Sequence, residues 1–177
     1  LGGLDHIQGN YSASEHYYLE SLRIHKEVLG ENHPDYAMSL NNLGGLYRTQ
    51  GNYSAAEQYY LESLRIDKEV FGENHPDYAT SLNNLGLLYK TQGNYSAAEQ
   101  YYLESLQVIK EVLGENHPDY ATSLGNLGGV YHTQGNYSAA EHYFLQSLRI
   151  RKEVLGENHP AYATSLHNLG GLYHTQG

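Results

Sequence analysis

Apolar and small residues fall along this chain at helical spacing, in two kinds of segment that alternate. In the first kind, A, they stand at Tyr78, Leu82, Leu85, Gly86 and Tyr89, steps of 4, 3, 1 and 3 that gather on one face of a helix. Asn74-His75-Pro76-Asp77 predicts its start, with Pro76 in the first turn, where a missing N–H costs nothing, and Asp77 at the positive end of the helix dipole. Gly93 after Gln92 predicts its stop. In the second kind, B, the face is Ala98, Tyr102, Ser105, Leu106, Ile109, Val112 and Leu113. Ser96-Ala97-Ala98-Glu99 reads as a capping box and Gly114 as the end, giving about 18 residues or roughly 27 Å of helix. Linkers of three to five residues make neighbouring helices antiparallel. Gly86 and Ala98, small residues within large apolar faces, predict close approach of A and B.

The pair recurs. A 42-residue unit begins at Gly9, Gly51, Gly93 and Gly135, each followed by Asn-Tyr, and 28 of its 42 columns are identical in all four copies. A repeat of this length stacks on itself as an elongated solenoid. The expected organisation is a partial helix A over 1–8, repeats over 9–50, 51–92 and 93–134, and a fourth over 135–177 that ends in a helix A with no helix B after it.

Leu82-x-x-Leu85-Gly86-x-x-Tyr89 followed by Ala98-x-x-x-Tyr102 resembles the tetratricopeptide signature. The usual unit of that family has about 34 residues and closes with proline; here helix B runs on through Lys110. The added stretch, Gly114-Glu115-Asn116-His117-Pro118-Asp119-Tyr120-Ala121 with Ser123-Leu124 and Asn126-Leu127, looks like the kinesin light chain type of repeat. Two positions depart from the family pattern. Ser21, Ser63, Ser105 and Ser147 stand where alanine is usual, and so do Gly44, Gly86, Gly128 and Gly170. All stay small. The resemblance implies an all-α fold, a right-handed superhelical solenoid of antiparallel helix pairs, acting as a non-catalytic protein–protein interaction scaffold.

Composition narrows the function classes. The chain has 20 acidic and 10 basic residues, a formal charge of −10, and no cluster of Lys and Arg of the kind that displaces counterions from nucleic acid. No apolar run approaches a membrane span of about 20 residues and no signal-like segment precedes the first repeat, so a soluble, cytoplasmic chain without a membrane partner is expected. With no cysteine, disulfides are excluded. The 19 tyrosines ask for hydroxyl partners, which a repeat can supply again and again. No P-loop or dinucleotide fingerprint is present, and Ser, His and Asp recur in every copy as packing and capping residues do. No catalytic residue and no cofactor is expected. His33, His75, His117 and His159, one per repeat before proline, read as capping residues rather than metal ligands.

Columns that vary between copies mark surfaces. On segment A they are Met38/Thr80/Thr122/Thr164, Asn41/Asn83/Gly125/His167, Gly45/Leu87/Gly129/Gly171 and Arg48/Lys90/His132/His174, spaced 3, 4 and 3 along one face. In tetratricopeptide arrays the A helices line the concave groove, so the resemblance implies that this stripe faces a ligand. The alternative is the drift of any exposed face, which outer positions of B such as His16/Gln58/Gln100/His142 also show. The A bodies carry Arg48, Lys90, His132, His167 and His174, the uniform Asn42, Asn84, Asn126 and Asn168, and no acid past the first turn. With Asn41, Asn83 and Leu87, these make a neutral-to-basic groove suited to an extended, somewhat acidic peptide, whose backbone asparagine amides can bond. The Lys and Asn of arrays that clamp a C-terminal carboxylate are missing at Asn83 and Leu87 and in the other copies, which argues against that mode.

A second expectation concerns self-association. Leu166, Leu169, Leu172 and Tyr173 of the last A segment face nothing in this reading, and Tyr17, Tyr18 and Leu22 of the first B have only a half-helix beside them, with Asp5 where the next copy has Tyr47. Complementary faces of this kind predict head-to-tail stacking of copies.

Overall fold

The computed structural model describes residues 2–177, with side chains from Asn10 onward, and every regular element among them is an α-helix. In chain order these are α1 (Gly2–Leu29), α2 (Pro34–Thr49), α3 (Tyr53–Phe71), α4 (Pro76–Thr91), α5 (Tyr95–Val112), α6 (Pro118–Thr133), α7 (Tyr137–Leu155) and α8 (Pro160–Gln176). Even-numbered helices are the A segments and odd-numbered ones the B segments. None of the helices among the described residues is long and apolar enough to cross a membrane. Two compact units result, Leu1–Glu73 and Asn74–Gly177.

Each A helix begins as its sequence dictates. His75 caps α4 from an extended backbone, its Nδ1 accepting from Asp77 N at 3.2 Å, and Pro76 follows in the first turn. His33, His117 and His159 do the same for α2, α6 and α8. The B helices are capped differently from expectation. Asn94, not Ser96, is the cap of α5, its Oδ1 accepting from Ala97 N at 3.2 Å. With Asn94 as cap the helix begins at Tyr95, which places Ser96 inside its first turn. Glu99, released from the capping box, accepts instead from Tyr131 Oη at 2.5 Å.

Between A and B the chain reverses at Gly93, whose φ of +79° is a left-handed value that side chains resist. Gly51 and Gly135 repeat it, but Gly9 does not. The helix α1 runs unbroken through Gly9, so the half-helix A expected over 1–8 is fused to the first helix B. In later copies a whole A helix folds back and Tyr47 stacks on Tyr59; Asp5 stands at the tyrosine's place in the first copy. The side chains of residues 1–9, Asp5 among them, lie outside the described residues.

In the second unit α4 packs chiefly on α5 and α6 on α7, while α5–α6 and α7–α8 contacts are less extensive. The predicted A face is buried, with Tyr78, Leu82, Leu85 and Gly86 shut away and Tyr89 half-buried. Tyr102 covers Gly86, where a Cβ would come within 2.7 Å of its ring. Ala98 belongs with Leu127 and Val130 of α6, so the two small residues serve different contacts. Val112, expected on the buried face, is exposed, because α5 at 18 residues overhangs its 16-residue neighbours. Val108 is buried beside Ile109 instead. On α8, Leu169 and Leu172 pack with Ala140 and Phe144 of α7. Leu169 and Leu172, expected to face another copy, are therefore covered within the chain by α7.

The first unit repeats this scheme. Tyr36, Ala37 and Leu40 of α2 pack on Ile66 of α3, with Leu22 and Tyr59 at the edge. Tyr60 covers Gly44 as Tyr102 covers Gly86. Tyrosine hydroxyls find the reused partner that repetition predicts: Tyr47 donates to Glu15 at 2.7 Å and Tyr173 to Glu141 at 2.5 Å, as Tyr131 does to Glu99. The rings of Tyr47 and Tyr59, Tyr89 and Tyr101, and Tyr131 and Tyr143 stack with centroids 5.4 Å apart in each pair.

Candidate functional site

Helices α4 and α6 flank a cleft of about 290 Å³ within the second unit. Thr80, Asn83, Asn84 and Leu87 line it from α4, Asp119, Thr122 and Asn126 from α6, and Ile109 of α5 closes it. Four residues expected to meet a ligand, Asn83, Asn84, Leu87 and Asn126, are thus brought together. Their polar groups are partly committed. Asn83 Nδ2 donates to Ser105 Oγ at 2.7 Å and approaches Ser123 Oγ at 3.4 Å, while Asn126 Nδ2 reaches Asn83 Oδ1 at 3.4 Å. Ser105 in turn donates to Ala79 O at 2.9 Å. This chain ties three helices together and satisfies two buried hydroxyls. The Thr80 and Thr122 hydroxyls donate to Pro76 O and Pro118 O at 3.0 Å, so the exposed Leu87 side chain is the apolar contact the cleft offers a ligand.

Lys90 extends from the end of α4 across α6, where its Nζ occupies the space a Cβ at Gly129 would need, 2.6 Å away. Burial pushes its ammonium below the usual lysine value. Most other basic side chains sit beside acids: Arg65 between Glu62 and Glu69, Lys68 on Glu73, Lys110 on Glu115 and Lys152 on Glu157. Lys90 is half-buried and has no such partner among the described residues.

The remaining predicted residues are dispersed. His132 Nε2 lies 3.1 Å from Thr175 Oγ1, joining α6 to α8. His167 and His174 on α8 are exposed and Asn168 is half-buried. Asn41, Asn42 and Arg48 are on α2 in the other unit, where Arg48 Nε is buried without an acceptor. Of the residues expected to join copies, Tyr17, Tyr18, Leu166 and Tyr173 are exposed and Leu22 is half-buried. A larger cavity of about 490 Å³ in the first unit is walled by packing tyrosines, Tyr36, Tyr47 and Tyr59, away from the variable stripe.

One further position is set apart by its variation between copies. His25, Asp67, Ile109 and Arg151 occupy the same column of helix B, the one column in which all four copies differ. Asp67, Ile109 and Arg151 are nonetheless buried. His25 Nδ1 bonds Ser39 Oγ at 2.8 Å, and Arg151 Nη1 bonds Ser165 Oγ at 2.9 Å, so the column faces the A helix that follows. A column that varies in charge while staying inside was the available signal; periodicity assigned it to packing.

A family model for the tetratricopeptide repeat matches residues 1–69, 55–107, 92–153 and 142–177. Among solved structures, BtubC (BKLC) from P. vanneervenii superposes with a TM-score of 0.81 at 28% identity, over 100% of this chain and 70% of that one. A putative kinesin light chain from Podosopora anserina with nearly identical TPR-like repeats gives 0.74 at 21% identity, over 96% of this chain and 81% of that one. The apo form of RapI gives 0.69 at 24% identity, over 84% and 52% of the two chains. No curated protein gives a significant match.

Proposed function

Because the chain belongs to the tetratricopeptide repeat family, whose repeats generally mediate protein–protein interaction, we propose that it is a non-catalytic scaffold whose A helices hold an extended, somewhat acidic peptide. The observation that carries this reading is the α4–α6 cleft, which combines the exposed Leu87, the Asn84 and Asn126 amides and, nearby, a lysine without an acid. An apolar contact with a few placed polar groups is what a peptide site requires. The test is calorimetric screening of capped acidic peptides against the wild-type chain and an Asn84→Ala, Asn126→Ala double variant. Loss of two amide contacts should weaken binding about tenfold or more. Unchanged affinity in the double variant, with the fold intact by circular dichroism, would remove the cleft from the site.

A second reading rests on a separate observation. Tyr60, Tyr102 and Phe144 fill the spaces over Gly44, Gly86 and Gly128, whereas nothing lies within 4 Å of a Cβ built on Gly170. The matching ring in the first B helix, Tyr18, is 38% exposed against 1% for Tyr102. Socket and knob are both open, so α1 of a second copy would dock on α8 as α5 docks on α4. Light scattering over a hundredfold concentration range should show multiples of 19.9 kDa, and Gly170→Leu should return the chain to monomer. A single mass at every concentration sinks this reading.

A further inference from the structure

The α6–α8 junction holds a buried guanidinium with no acid paired to it among the described residues. Arg151 on α7 is 7% exposed. Its Nη1 donates to Ser165 Oγ at 2.9 Å and Ala161 O at 3.1 Å, and its Nη2 to Thr122 Oγ1 at 3.2 Å. All three acceptors are uncharged, and Nε, also buried, has none. A guanidinium carries five N–H donors. Nε–H and one Nη2 hydrogen are therefore unspent. Arg23 and Arg65 use Nε and Nη2 together to grip Glu20 and Glu62, at 3.0 and 2.6 Å and at 3.0 and 2.7 Å. The open edge of Arg151 is the one that elsewhere in this chain holds a carboxylate.

Neighbouring columns change in step. At the α4–α6 junction the same column is Ile109, and Asp119 stands in the cleft with it. At the α6–α8 junction the column is Arg151 and the aspartate is replaced by Ala161, so the charge arrives where the internal acid leaves. Gly125 and Gly129 on α6 stand where α4 has the cleft-lining Asn83 and Leu87, and Lys90 Nζ takes the place of a side chain at Gly129. Thr122, bonded to Nη2, is exposed and marks the approach from the variable stripe. Burying a cation without a counter-charge is costly, and an incoming anion relieves that cost.

We propose that this junction is a carboxylate-binding subsite, in which Arg151 receives an aspartate or glutamate side chain of a peptide lying along the A helices. It rests on the groove reading above and assigns one register of it. Ala161 leaves the junction without the aspartate of the other copies, and Thr122 and Ser165 hold the guanidinium in place. Planar, two-point recognition favours a carboxylate over a neutral amide.

The probes are N-acetylated, C-amidated tetraglutamate and tetraglutamine, followed by NMR at the Arg151 Nε–H resonance and at the backbone amides of Leu87 and Asn126. Tetraglutamate should shift the Arg151 signal saturably and tetraglutamine should not. Arg151→Ile, which installs the residue found at position 109 and so has an internal precedent for folding, should weaken tetraglutamate about tenfold. Ala161→Asp, which restores the acid of the other copies, should make the Arg151 signal insensitive to the probe. If backbone amides move with tetraglutamate while Arg151 Nε–H does not, the groove stands and the subsite is overturned. An equal response to both peptides overturns it as well. Silence at every resonance removes the groove and the subsite together.

Discussion

Gly86 and Tyr102 are a single choice made at two positions. A tyrosine ring this close leaves room for hydrogen alone on the facing helix, and Gly44 with Tyr60 and Gly128 with Phe144 repeat the bargain. The departure from the family's alanine is thereby explained: the small residue is smaller because its partner is larger. Gly86→Ala should destabilise the chain by about 1 kcal/mol net, since overpacking costs about 1–3 kcal/mol and the gain in helix propensity returns about 1. The same change at Gly170 meets nothing within 4 Å and should stabilise by up to about 1 kcal/mol. Urea midpoints of the two variants, shifting in opposite directions, would check the pairing. Sequence alone marked these glycines as small; it did not show which ring each one served, because ring placement depends on the approach of two helices distant in sequence.

Helices are where the sequence was most legible. Period, proline and glycine located both kinds of helix because each signal acts within a few residues. Caps were harder. Asn94 and Ser96 are both good capping residues, and the choice turned on which one stands outside the first turn. Asn94→Ala should therefore cost about 1 kcal/mol and Ser96→Ala should be nearly neutral, as read from urea unfolding. A costly Ser96 with an indifferent Asn94 would mean the helix begins two residues later. The fusion of α1 across Gly9 was likewise hidden, since the same Gly-Asn-Tyr reverses the chain at Gly51, Gly93 and Gly135.

Over the whole molecule, tyrosine hydroxyls bonded to carboxylates recur in both units, and they tie stability to alkaline pH. The bond to Glu15 and then burial raise the Tyr47 phenol well above its ordinary range; Glu99 and burial do the same to Tyr131. An unfolded tyrosine titrates near pH 10. Because the folded values are raised, this contribution is complete below about pH 10 and is lost as pH climbs through the folded values. The urea midpoint should hold up to about pH 10 and fall above it, and Tyr131→Phe should fall less steeply there. An identical slope in the variant would assign the alkaline loss to other groups. At this scale the candidate site was only half legible. The stripe on the A helices could be read from exposed variation, but Arg151 could not, since burial and variation pull a reader toward opposite conclusions.

That buried column has a consequence for inheritance. Copies alike at 28 of 42 columns are ready substrates for unequal exchange, which adds or deletes whole repeats. Arg151 and Ala161 lie in one copy, and Ile109 and Asp119 in another. In these two copies the buried side chain and the acid or alanine that suits it travel together. An array lengthened or shortened by exchange keeps these matched sets intact, so such a lineage can change how many junctions it has without leaving a charge stranded against the wrong neighbour.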